Sequence, residues 1–492
     1  MEAGYIVLIV LASLILALFI FMLIRTILKK PINPESTYQA PKVDIDALTE
    51  KLQGAVRIKT VTKLKPEDSQ ESFLEYHKYL FKTFPEIFKI AEVTVINKYS
   101  LIIKITGTDS SLLPVAFLAH QDVVPATIDG WEVDPFSAEI KDGCVYGRGS
   151  QDMKSQMISV LNALEVLLSE KKFPERTIYY CFGHDEEITG MEGAYNIAKF
   201  LEDQNIQFEY MLDEGGTITN GRLLGIDGKI ALIGTCDKGY ADYKISAIKD
   251  GGHGSSPKKI SSVDMIAKAI TKLNKHPMKA YRSIPIRITF KTLAPYMKPL
   301  YKFLFINSDI LAPLLKPVLT RINPLTNSIL RTTIAFTMMN GATAANVIPV
   351  KSSAVMNVRI NPGQTNADVL HHIKKVLGKD YIVEEYNMCF EPTRISPSDG
   401  DKIYETIKES IKDIYHGVIV SSYPFIGATD SKHYGKLSDH IYRFTPFEVD
   451  ETDQKRIHGL NERCHIDRLY LAHQFFRRLI EKTCYNINDK KE

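Results

Sequence analysis

The chain has 492 residues, of which 45% are apolar and 24% are charged, and its formal net charge is +3. This length is too great for one compact core, so two or more domains are expected. The balanced charge, without a basic block interleaved with aromatic residues, gives no reason to expect a nucleic-acid partner. Six scattered cysteines without a CxxC pair favour free buried thiols over a disulfide framework or a thiolate zinc site.

The first element in chain order is an uncharged apolar run over residues 5–24, which is long enough to cross a bilayer as a helix. Its start is not basic and no small-residue cleavage site follows it, so we predict a retained anchor over residues 1–30 rather than a signal peptide. Three basic residues follow the run, namely Arg25, Lys29 and Lys30. By the positive-inside rule this charge bias favours a single-pass protein with its catalytic body in the cytoplasm.

A proline-rich linker is predicted over residues 31–44, and helices then alternate with strands as far as residue 235. The expected elements are helices at 45–56 and 72–84, a strand hairpin at 93–105, a strand at 114–119, a helix from 157, a strand at 177–182, a helix at 193–201 and a strand at 208–212. This alternation predicts an α/β domain with a largely parallel sheet covered on both faces. Such sheets bind ligands beyond the carboxyl ends of their strands.

The pattern changes near residue 230. An alternating strand at 240–248, a glycine-rich turn, a helix at 263–273 and a further alternating strand at 354–360 are typical of a small α+β domain. We therefore predict that residues 236–390 are inserted into the first domain, which residues 45–235 begin and residues 391–485 complete.

The inserted domain contains an unusual apolar segment over residues 285–330. Its centre, residues 293–319, carries four prolines among Leu, Phe, Tyr and Ile, which predicts short helices broken by proline. One interpretation is local core or a dimer face. The other is a wall for an acyl chain or for the membrane surface.

The residues that indicate chemistry begin at the end of the strand at 114–119. His120 and Asp122 follow this strand, and Asp152 comes after the glycine turn GRGSQ. An imidazole can bind a metal ion while a nearby carboxylate orients it through the other ring nitrogen, and an aspartate has two oxygens able to bridge two ions. This pattern predicts half of a two-metal hydrolytic site.

The other half is expected in GHDEEITG. Hydrolysis by activated water needs one carboxylate to hold metal and another to take a proton, and the neighbours Glu186 and Glu187 project to opposite sides of an extended chain. Asp213 in MLDEGG and His458 in RIHGLNE complete the candidate set. Taken singly, a pair of acids is usually a solvated surface and a distant histidine is usually structural.

Seven pieces of the sequence together resemble one family: HQDVV, GRGSQDMK, GHDEEITG, LDEGG, GGHGSSP, GATDS and IHGLNE. Their order and spacing are similar to those of the di-zinc metallopeptidases that include aminoacylase-1, carboxypeptidase S and succinyl-diaminopimelate desuccinylase. The resemblance covers residues 45–485, and RINPLTNSILRTT, NVIP and NVRINPGQT bring it nearest to the branch of carboxypeptidase S and the N-fatty-acyl-amino-acid synthase/hydrolases. It implies a zinc-exopeptidase-like catalytic domain with a lid domain that can form a homodimer.

The resemblance also implies roles for the site residues. Two zinc ions are expected, with Asp152 bridging them, His120 and Asp213 on one ion and Glu187 and His458 on the other. Glu186 would act as general base, with Asp122 supporting His120, and the bond between Asp152 and Met153 is a candidate cis peptide. The ligand types would also accept cobalt or manganese.

Residues of the lid and of the second catalytic segment are implied in substrate binding. His253 in GGHGSSP resembles the histidine that steadies the oxyanion, although a surface-loop role is the alternative. Asn346 and Arg359 resemble the groups that hold the substrate carbonyl and carboxylate, and an Arg fork suits a carboxylate, although Arg359 could equally form a structural ion pair. The loop at Gly427, Ala428 and Thr429 resembles one that lines the cleft.

The resulting hypothesis is a membrane-anchored zinc amidohydrolase. It would cleave the amide bond of N-acyl amino acids, including N-fatty-acyl amino acids and reversibly, or the C-terminal residue of short peptides. The alternatives are a small-peptide carboxypeptidase or dipeptidase without lipid preference and a catalytically silent binding protein. A catalytically silent protein would be expected to lack some of the metal ligands, whereas this sequence contains all five expected ligands and the general base.

Overall fold

The computed structural model describes residues 2–32, 36–62 and 71–485, so residues 33–35 of the predicted linker lie outside the described residues. The first part of the chain forms α1 (Glu2–Leu28), α2 (Ile45–Arg57), α3 (Glu71–Thr83), α4 (Pro85–Phe88), β1 (Glu92–Ile96), β2 (Ser100–Ile105), β3 (Val115–His120), β4 (Ile140–Lys141), β5 (Cys144–Tyr146), α5 (Lys154–Ser169), β6 (Ile178–Gly183), α6 (Ala194–Asp203), β7 (Tyr210–Asn220) and β8 (Lys229–Asp237).

The rest of the described chain forms β9 (Gly239–Ile248), β10 (Gly252–His253), α7 (Ser262–Lys275), α8 (Ile284–Leu293), α9 (Pro299–Ile306), α10 (Ala312–Ile322), α11 (Pro324–Leu330), β11 (Thr333–Asn340), β12 (Val347–Ile348), β13 (Lys351–Ile360), α12 (Asn366–Leu377), β14 (Ile382–Glu385), α13 (Lys402–Ile414), β15 (Ile419–Phe425), β16 (Ile441–Glu448), α14 (Glu451–Arg456), β17 (Arg463–His465) and α15 (Ile466–Cys484). The expected alternation of helices and strands is present.

The largest sheet is mixed and has the strand order β1-β2-β6-β3-β7-β16-β8-β15. Its centre is parallel, because β3 pairs in parallel with both β6 and β7, and β16 pairs in parallel with β7. The hairpin β1–β2 adds an antiparallel edge. The predicted α/β class is confirmed, and the carboxyl ends of β3 and β6 lie side by side, with His120 opposite Gly183.

Alternating side chains of β3 explain why helices cover both faces of this sheet. Phe117 and its odd-numbered neighbours join the core cluster that contains α5 and α15, whereas Leu118 joins the cluster that contains α6. A strand with both faces covered reads as an unbroken apolar run, and every residue of β3 is buried.

A second, antiparallel sheet has the order β11-β13-β9-β14. One face packs against α7 and α12 through residues such as Tyr243 of β9 and Met356 of β13. The intervening residues, among them Tyr240 and Arg359, project to the opposite face. The separate sheet and core support our proposal that residues 236–390 form an inserted domain between the two parts of the catalytic domain.

The apolar segment over residues 285–330 forms α8 to α11, in agreement with the expectation of short helices, and Pro317 lies inside α10. Neither α9 nor α10 contains a fully buried residue. At the other end of the chain, residues 4–28 of α1 form a helix long and apolar enough to cross a membrane, and its apolar side chains are almost all exposed. A core helix would be buried, so this exposure is consistent with an anchor or a signal sequence.

Candidate metal centre

Two histidines from distant parts of the sequence meet at Asp152, which lies just before α5. The Nε2 atom of His120, the last residue of β3, is 3.1 Å from Asp152 Oδ1. The Nε2 atom of His458, which follows α14, is 3.0 Å from Asp152 Oδ2. Each carboxylate oxygen of Asp152 therefore faces a different histidine, as a bridging ligand requires.

The loop after β6 brings Glu186 and Glu187 to the same cluster. Glu187 Oε2 is 3.1 Å from His458 Nε2. The Asp122 carboxylate is fully buried and accepts the backbone N–H groups of Glu186 at 3.2 Å and Glu187 at 3.1 Å. The Nδ1 atom of His120 lies 2.9 Å from the backbone carbonyl oxygen of Asp122 and 3.4 Å from its Oδ1 atom. Asp122 therefore holds both the imidazole and the loop that carries the two glutamates.

Within β7 the structure places Glu214 where the sequence analysis expected Asp213. Glu214 Oε1 is 3.5 Å from His120 Nε2, whereas Asp213 accepts the backbone N–H of Ser431 at 2.8 Å through Oδ2. Successive side chains of a strand point to opposite sides, so only one of two adjacent acids can face His120. The LDEGG motif contains both acids, and only the path of β7 beside β3 distinguishes them. This geometry favours Glu214 over Asp213 as the candidate ligand, and Glu214 takes that place in the function proposed below.

A buried ion pair, which the sequence analysis did not identify, supports the segment before α5. Glu462 is fully buried, pairs with Arg148 at 2.5 Å, and accepts the backbone N–H of Gln151 at 2.9 Å and of Asp152 at 3.1 Å. Arg148 also donates to the carbonyl of Gly459 at 2.9 Å. Since Gly459 follows His458, this pair ties two candidate ligands together. The feature of the sequence that could have identified this pair is Glu462, the last residue of the motif IHGLNE.

The backbone around Asp152 is unusual in two respects. The bond between Asp152 and Met153 is cis, as the resemblance implied. Gly149 has a φ of +81°, and a Cβ atom there would lie 2.4 Å from Val123 Cγ1. Glycine is therefore required at this position of the turn, both for its conformation and for its close approach to the strand end.

The charges of the cluster shift several pKa values. Burial raises the pKa of the Glu186 carboxyl well above its ordinary value; His120 opposes this shift, and the carboxylates of Glu214 and Asp430 reinforce it. Burial and the neighbouring Asp152 raise the pKa of Glu214 to about 7. Hydrogen bonds to Asp152 and Glu187 raise the pKa of His458 to about 10. Such a concentration of carboxylates around imidazoles favours bound cations.

The donor set fits zinc. Ligand atoms around a tetrahedral zinc ion lie about 3.3–3.6 Å apart, given metal–ligand distances of about 2.0–2.2 Å. The contacts that His120 and His458 make with Asp152, Glu187 and Glu214 span 3.0 to 3.5 Å. In the described part of the chain, two groups of three residues each offer donor atoms that lie within 4.8 Å of one another. One group is His120, Glu186 and Glu214, and the other is His120, Asp152 and Glu187.

Two of the three implied lid residues, His253 and Asn346, lie together at the small ladder of β10 and β12. His253 is exposed and pairs with Val347 across β10 and β12, and the N–H of Gly254 donates to the carbonyl of Asn346 at 2.7 Å. The N–H of Ser255 donates to His253 Nδ1 at 3.2 Å. Because Nδ1 accepts this bond, the proton of the neutral ring lies on Nε2, which can donate.

Arg359 is half-buried on the face of β13 that points away from the α7 and α12 core. Its guanidinium lies 4.8 Å from the centre of the Tyr240 ring, and its Nε donates to Asn357 Oδ1 at 3.3 Å. In the described chain, no hydrogen bond or ion pair joins Arg359 or His253 to the cluster around Asp152. Their roles in substrate binding stay predictions.

The loop Gly427, Ala428 and Thr429 leads into a short 3₁₀ helix over residues 430–433. Thr429 is buried. The backbone N–H of Ser431 donates both to the Thr429 side chain and to the Asp213 carboxylate. The Gly427 backbone lies against the Phe425 ring. Asp213 therefore stabilises the position of this loop through its hydrogen bond with Ser431, which is a structural role.

The sequence matches the description "Peptidase family M20/M25/M40" over residues 116–482. It is 35% identical over 439 residues to the N-fatty-acyl-amino acid synthase/hydrolase PM20D1 of Xenopus tropicalis, covering 89% of this chain and 86% of the relative. It is 32% identical over 473 residues to carboxypeptidase S of Saccharomyces cerevisiae, covering 85% and 80%.

The fold is similar to that of solved structures. The M20 family metallo-carboxypeptidase Sso-CP2 from Sulfolobus solfataricus superimposes with a TM-score of 0.64 at 16% identity, covering 88% of this chain and 98% of that one. At that identity the likeness concerns the fold, while the sequence matches concern the family. The protein is therefore an amide-bond hydrolase that belongs to peptidase family M20/M25/M40.

Proposed function

We propose that this protein is a membrane-anchored di-zinc hydrolase that cleaves the amide bond next to a free carboxylate. The observation that carries the proposal is the position of Asp152, whose two oxygens face two different histidines at 3.0 and 3.1 Å. Asp152 would bridge the ions, with His120 and Glu214 holding one and Glu187 and His458 holding the other. Asp122 and Glu462 would position these ligands.

Zinc bound to these ligands would polarise the substrate carbonyl and lower the pKa of a water molecule. Glu186 is the group that moves the proton. Its raised pKa suits a carboxylate that accepts a proton from the attacking water and then donates it to the nitrogen of the leaving amine. Because Asp122 binds the N–H groups of both glutamates, the proton carrier and the ligand Glu187 keep a constant separation.

The lid residues would recognise the parts of the substrate that flank the reacting bond. His253 presents Nε2–H as a donor, suited to the oxygen that becomes negative when the carbonyl is attacked. Asn346, its neighbour across β10 and β12, would bind the same carbonyl. Arg359 would bind the free carboxylate through the two terminal nitrogens of its fork. A homodimer formed through the lid remains part of this proposal.

Two substrate classes follow from the relatives. The frog relative is named for N-fatty-acyl amino acids and the yeast relative for its carboxypeptidase activity. We infer that N-fatty-acyl amino acids are the substrates, hydrolysed or formed reversibly, because exposed apolar helices and an apolar N-terminal helix suit a substrate with a long acyl chain. The loop Gly427 to Thr429 would line the cleft that receives them.

The test is a matched panel of substrates for the zinc-loaded full-length protein in detergent. N-acetyl, N-oleoyl and dipeptide derivatives with one C-terminal residue, phenylalanine, are compared by kcat/KM, with Glu186→Gln as the blank. Preference for the oleoyl derivative supports the proposal. Preference for the dipeptide favours the small-peptide carboxypeptidase, and absence of turnover with zinc bound favours a binding protein.

A further inference from the structure

The N-terminal helix α1 is attached to the apolar segment through its last three turns. Phe19 packs against Phe303 of α9 with ring centres 5.8 Å apart, and Arg25 pairs with Asp309 at 3.1 Å. Asn307 is fully buried and donates to the Met22 carbonyl at 3.2 Å and to Thr26 Oγ1 at 3.1 Å. Beyond the helix, the Tyr296 hydroxyl donates to the Ile32 carbonyl at 2.5 Å.

These contacts place the apolar segment at a defined depth. The candidate span covers residues 4–28. At 1.5 Å per residue it is about 37 Å long, whereas the hydrocarbon core of a bilayer is about 30 Å thick. The charged Arg25 and the polar Asn307 are expected outside that core, because burying a charge or a polar group in lipid is costly. The end of α1 where these two residues lie therefore marks the level at which the chain leaves the membrane. The helices attached there lie at the membrane–water interface.

The helix α10, which begins three residues after Asp309 in the chain, exposes a continuous apolar stripe. Leu314, Val318 and Ile322, spaced by four residues on one helix face, are 68%, 50% and 71% exposed. Leu300 and Tyr301 of α9, in the same segment, are also exposed. A helix that exposes its apolar side instead of burying it resembles the helices that lie in the plane of a membrane surface.

The charge of the same segment is strongly positive. Between residues 298 and 331 the chain contains a single acid, Asp309, which is already paired with Arg25. The basic residues of this stretch are Lys298, Lys302, Lys316, Arg321 and Arg331, and Lys29 and Lys30 follow α1. Basic residues next to an apolar helical face suit the negatively charged headgroups of an anionic lipid surface.

We propose that residues 299–325 form a second membrane contact, in which α10 lies in the interface of the leaflet from which α1 emerges and its basic residues bind anionic headgroups. This inference rests on the proposed role of α1 as an anchor. The segment continues into β11, whose Thr333 pairs with Arg359 of β13. The membrane contact would therefore keep β13, whose Arg359 is proposed to bind the substrate carboxylate, at a constant distance from the bilayer. Substrates with long acyl chains reside in the bilayer.

The test uses the full-length protein in lipid nanodiscs that contain phosphatidylserine. A polarity-sensitive fluorophore is attached at Val318→Cys, at Leu314→Cys or, as a matched exposed apolar control on β14, at Ile382→Cys, in a Cys389→Ser background, since the other native cysteines are buried. Lipids with a quencher near the top of the acyl chain should quench most of the fluorescence at 314 and 318 and none at 382.

Ile15→Cys separates the two proposals, because it lies in the middle of α1. If the label at 15 is quenched by deeply placed quenchers while the label at 318 stays in water, the anchor is correct and the second contact is wrong. If the label at 15 is also in water, the anchor itself is wrong. A label at 318 that is shielded from water yet not quenched by lipid would show that another protein copy covers α10, and would also overturn the second contact.

The charge component has its own test. Lys302→Gln, Lys316→Gln and Arg321→Gln together should abolish the additional quenching at 318 that phosphatidylserine causes relative to neutral lipid. The control carries Lys268→Gln, Lys272→Gln and Lys275→Gln on α7, which change the net charge equally and should leave that difference intact. Equal effects of the two triple variants would show that only net charge matters and would overturn the assignment of headgroup binding to α10.

Discussion

Two pairs of neighbouring acids decide the chemistry at the scale of single residues. Glu186 and Glu187 share the support of Asp122, yet Glu187 is the one that contacts His458. In the second pair Glu214 contacts His120 and Asp213 binds the loop at Ser431. In the second pair only Glu214 faces the candidate ions. In the first pair both acids lie at the cluster, because Glu186 offers an oxygen within 4.8 Å of His120 and Glu214, so the two acids differ in their partners there.

The first prediction contrasts Glu186→Gln with Glu187→Gln. The former should retain both metal ions but lose about 10²- to 10⁴-fold in kcat, because the amide cannot accept a proton. Glu187→Gln should lose metal, since it removes a ligand charge. Metal content by elemental mass spectrometry and kcat by product release check both. Substantial turnover by Glu186→Gln would contradict its role as the base.

The second prediction concerns the other pair. Glu214→Gln should lower the metal content from two ions toward one, whereas Asp213→Asn should keep both ions and instead lower the thermal stability of the loop near Ser431. Titration with a zinc-competing dye measures the first effect, and limited proteolysis of the loop measures the second. The reverse pattern would restore Asp213 as the ligand.

At the scale of elements, two loops far apart in the sequence are joined by one buried ion pair. Arg148 precedes α5 and Glu462 follows α14, and together they bind the backbone at Gln151, Asp152 and Gly459. A buried charge without its partner is costly, so neither residue can be changed alone without disturbing both loops.

The third prediction is that Glu462→Gln weakens metal binding by about 10- to 100-fold, as is usual when a residue that positions ligands is changed. The amide still has the shape of the carboxylate but leaves Arg148 without its counter-charge. Zinc affinity by competition titration is the measurement, with Glu132→Gln, at an exposed pair with Lys141, as control. Equal affinities for the two variants would show that the buried pair does not position Asp152.

At the scale of the whole molecule, the packing of α5 against α15 encloses a histidine that the site does not use. His473 is fully buried, and its Nδ1 accepts a hydrogen bond from Asn162 at 3.2 Å. Burial, followed by the positive charges of Arg477 and Lys51, lowers the pKa of His473 to about 3. In the unfolded chain the same group titrates near its ordinary value of 6.5.

The fourth prediction follows from this difference. Between pH 6.5 and about pH 3 the unfolded state binds the proton and the folded state does not, so stability falls as the pH falls, by up to about 1.4 kcal/mol per pH unit. His473→Gln should reduce the loss of Tm on acidification. The exposed His371→Gln should not change it. An unchanged pH dependence in His473→Gln would mean that His473 does not contribute.

Much of the site was determined by the sequence alone. His120 and Asp152 follow an apolar strand and a glycine turn, and these local signals are independent of the rest of the fold. The order of seven motifs identified the family before any contact was known. An unbroken apolar run likewise predicted β3, whose residues are all buried, and apolar residues at helical spacing predicted α5.

Other features were decided only by the tertiary structure. Adjacent acids on a strand face opposite ways, but which of them meets His120 depends on the neighbouring strand, so Glu214 could not be distinguished from Asp213. The pair of Arg148 and Glu462 spans 314 residues. The attachment of α1 to α9 spans about as many, with Arg25 and Asp309 separated by 284. Local sequence patterns carry no information about contacts between residues so far apart in the chain, because these contacts form only when the whole chain is packed.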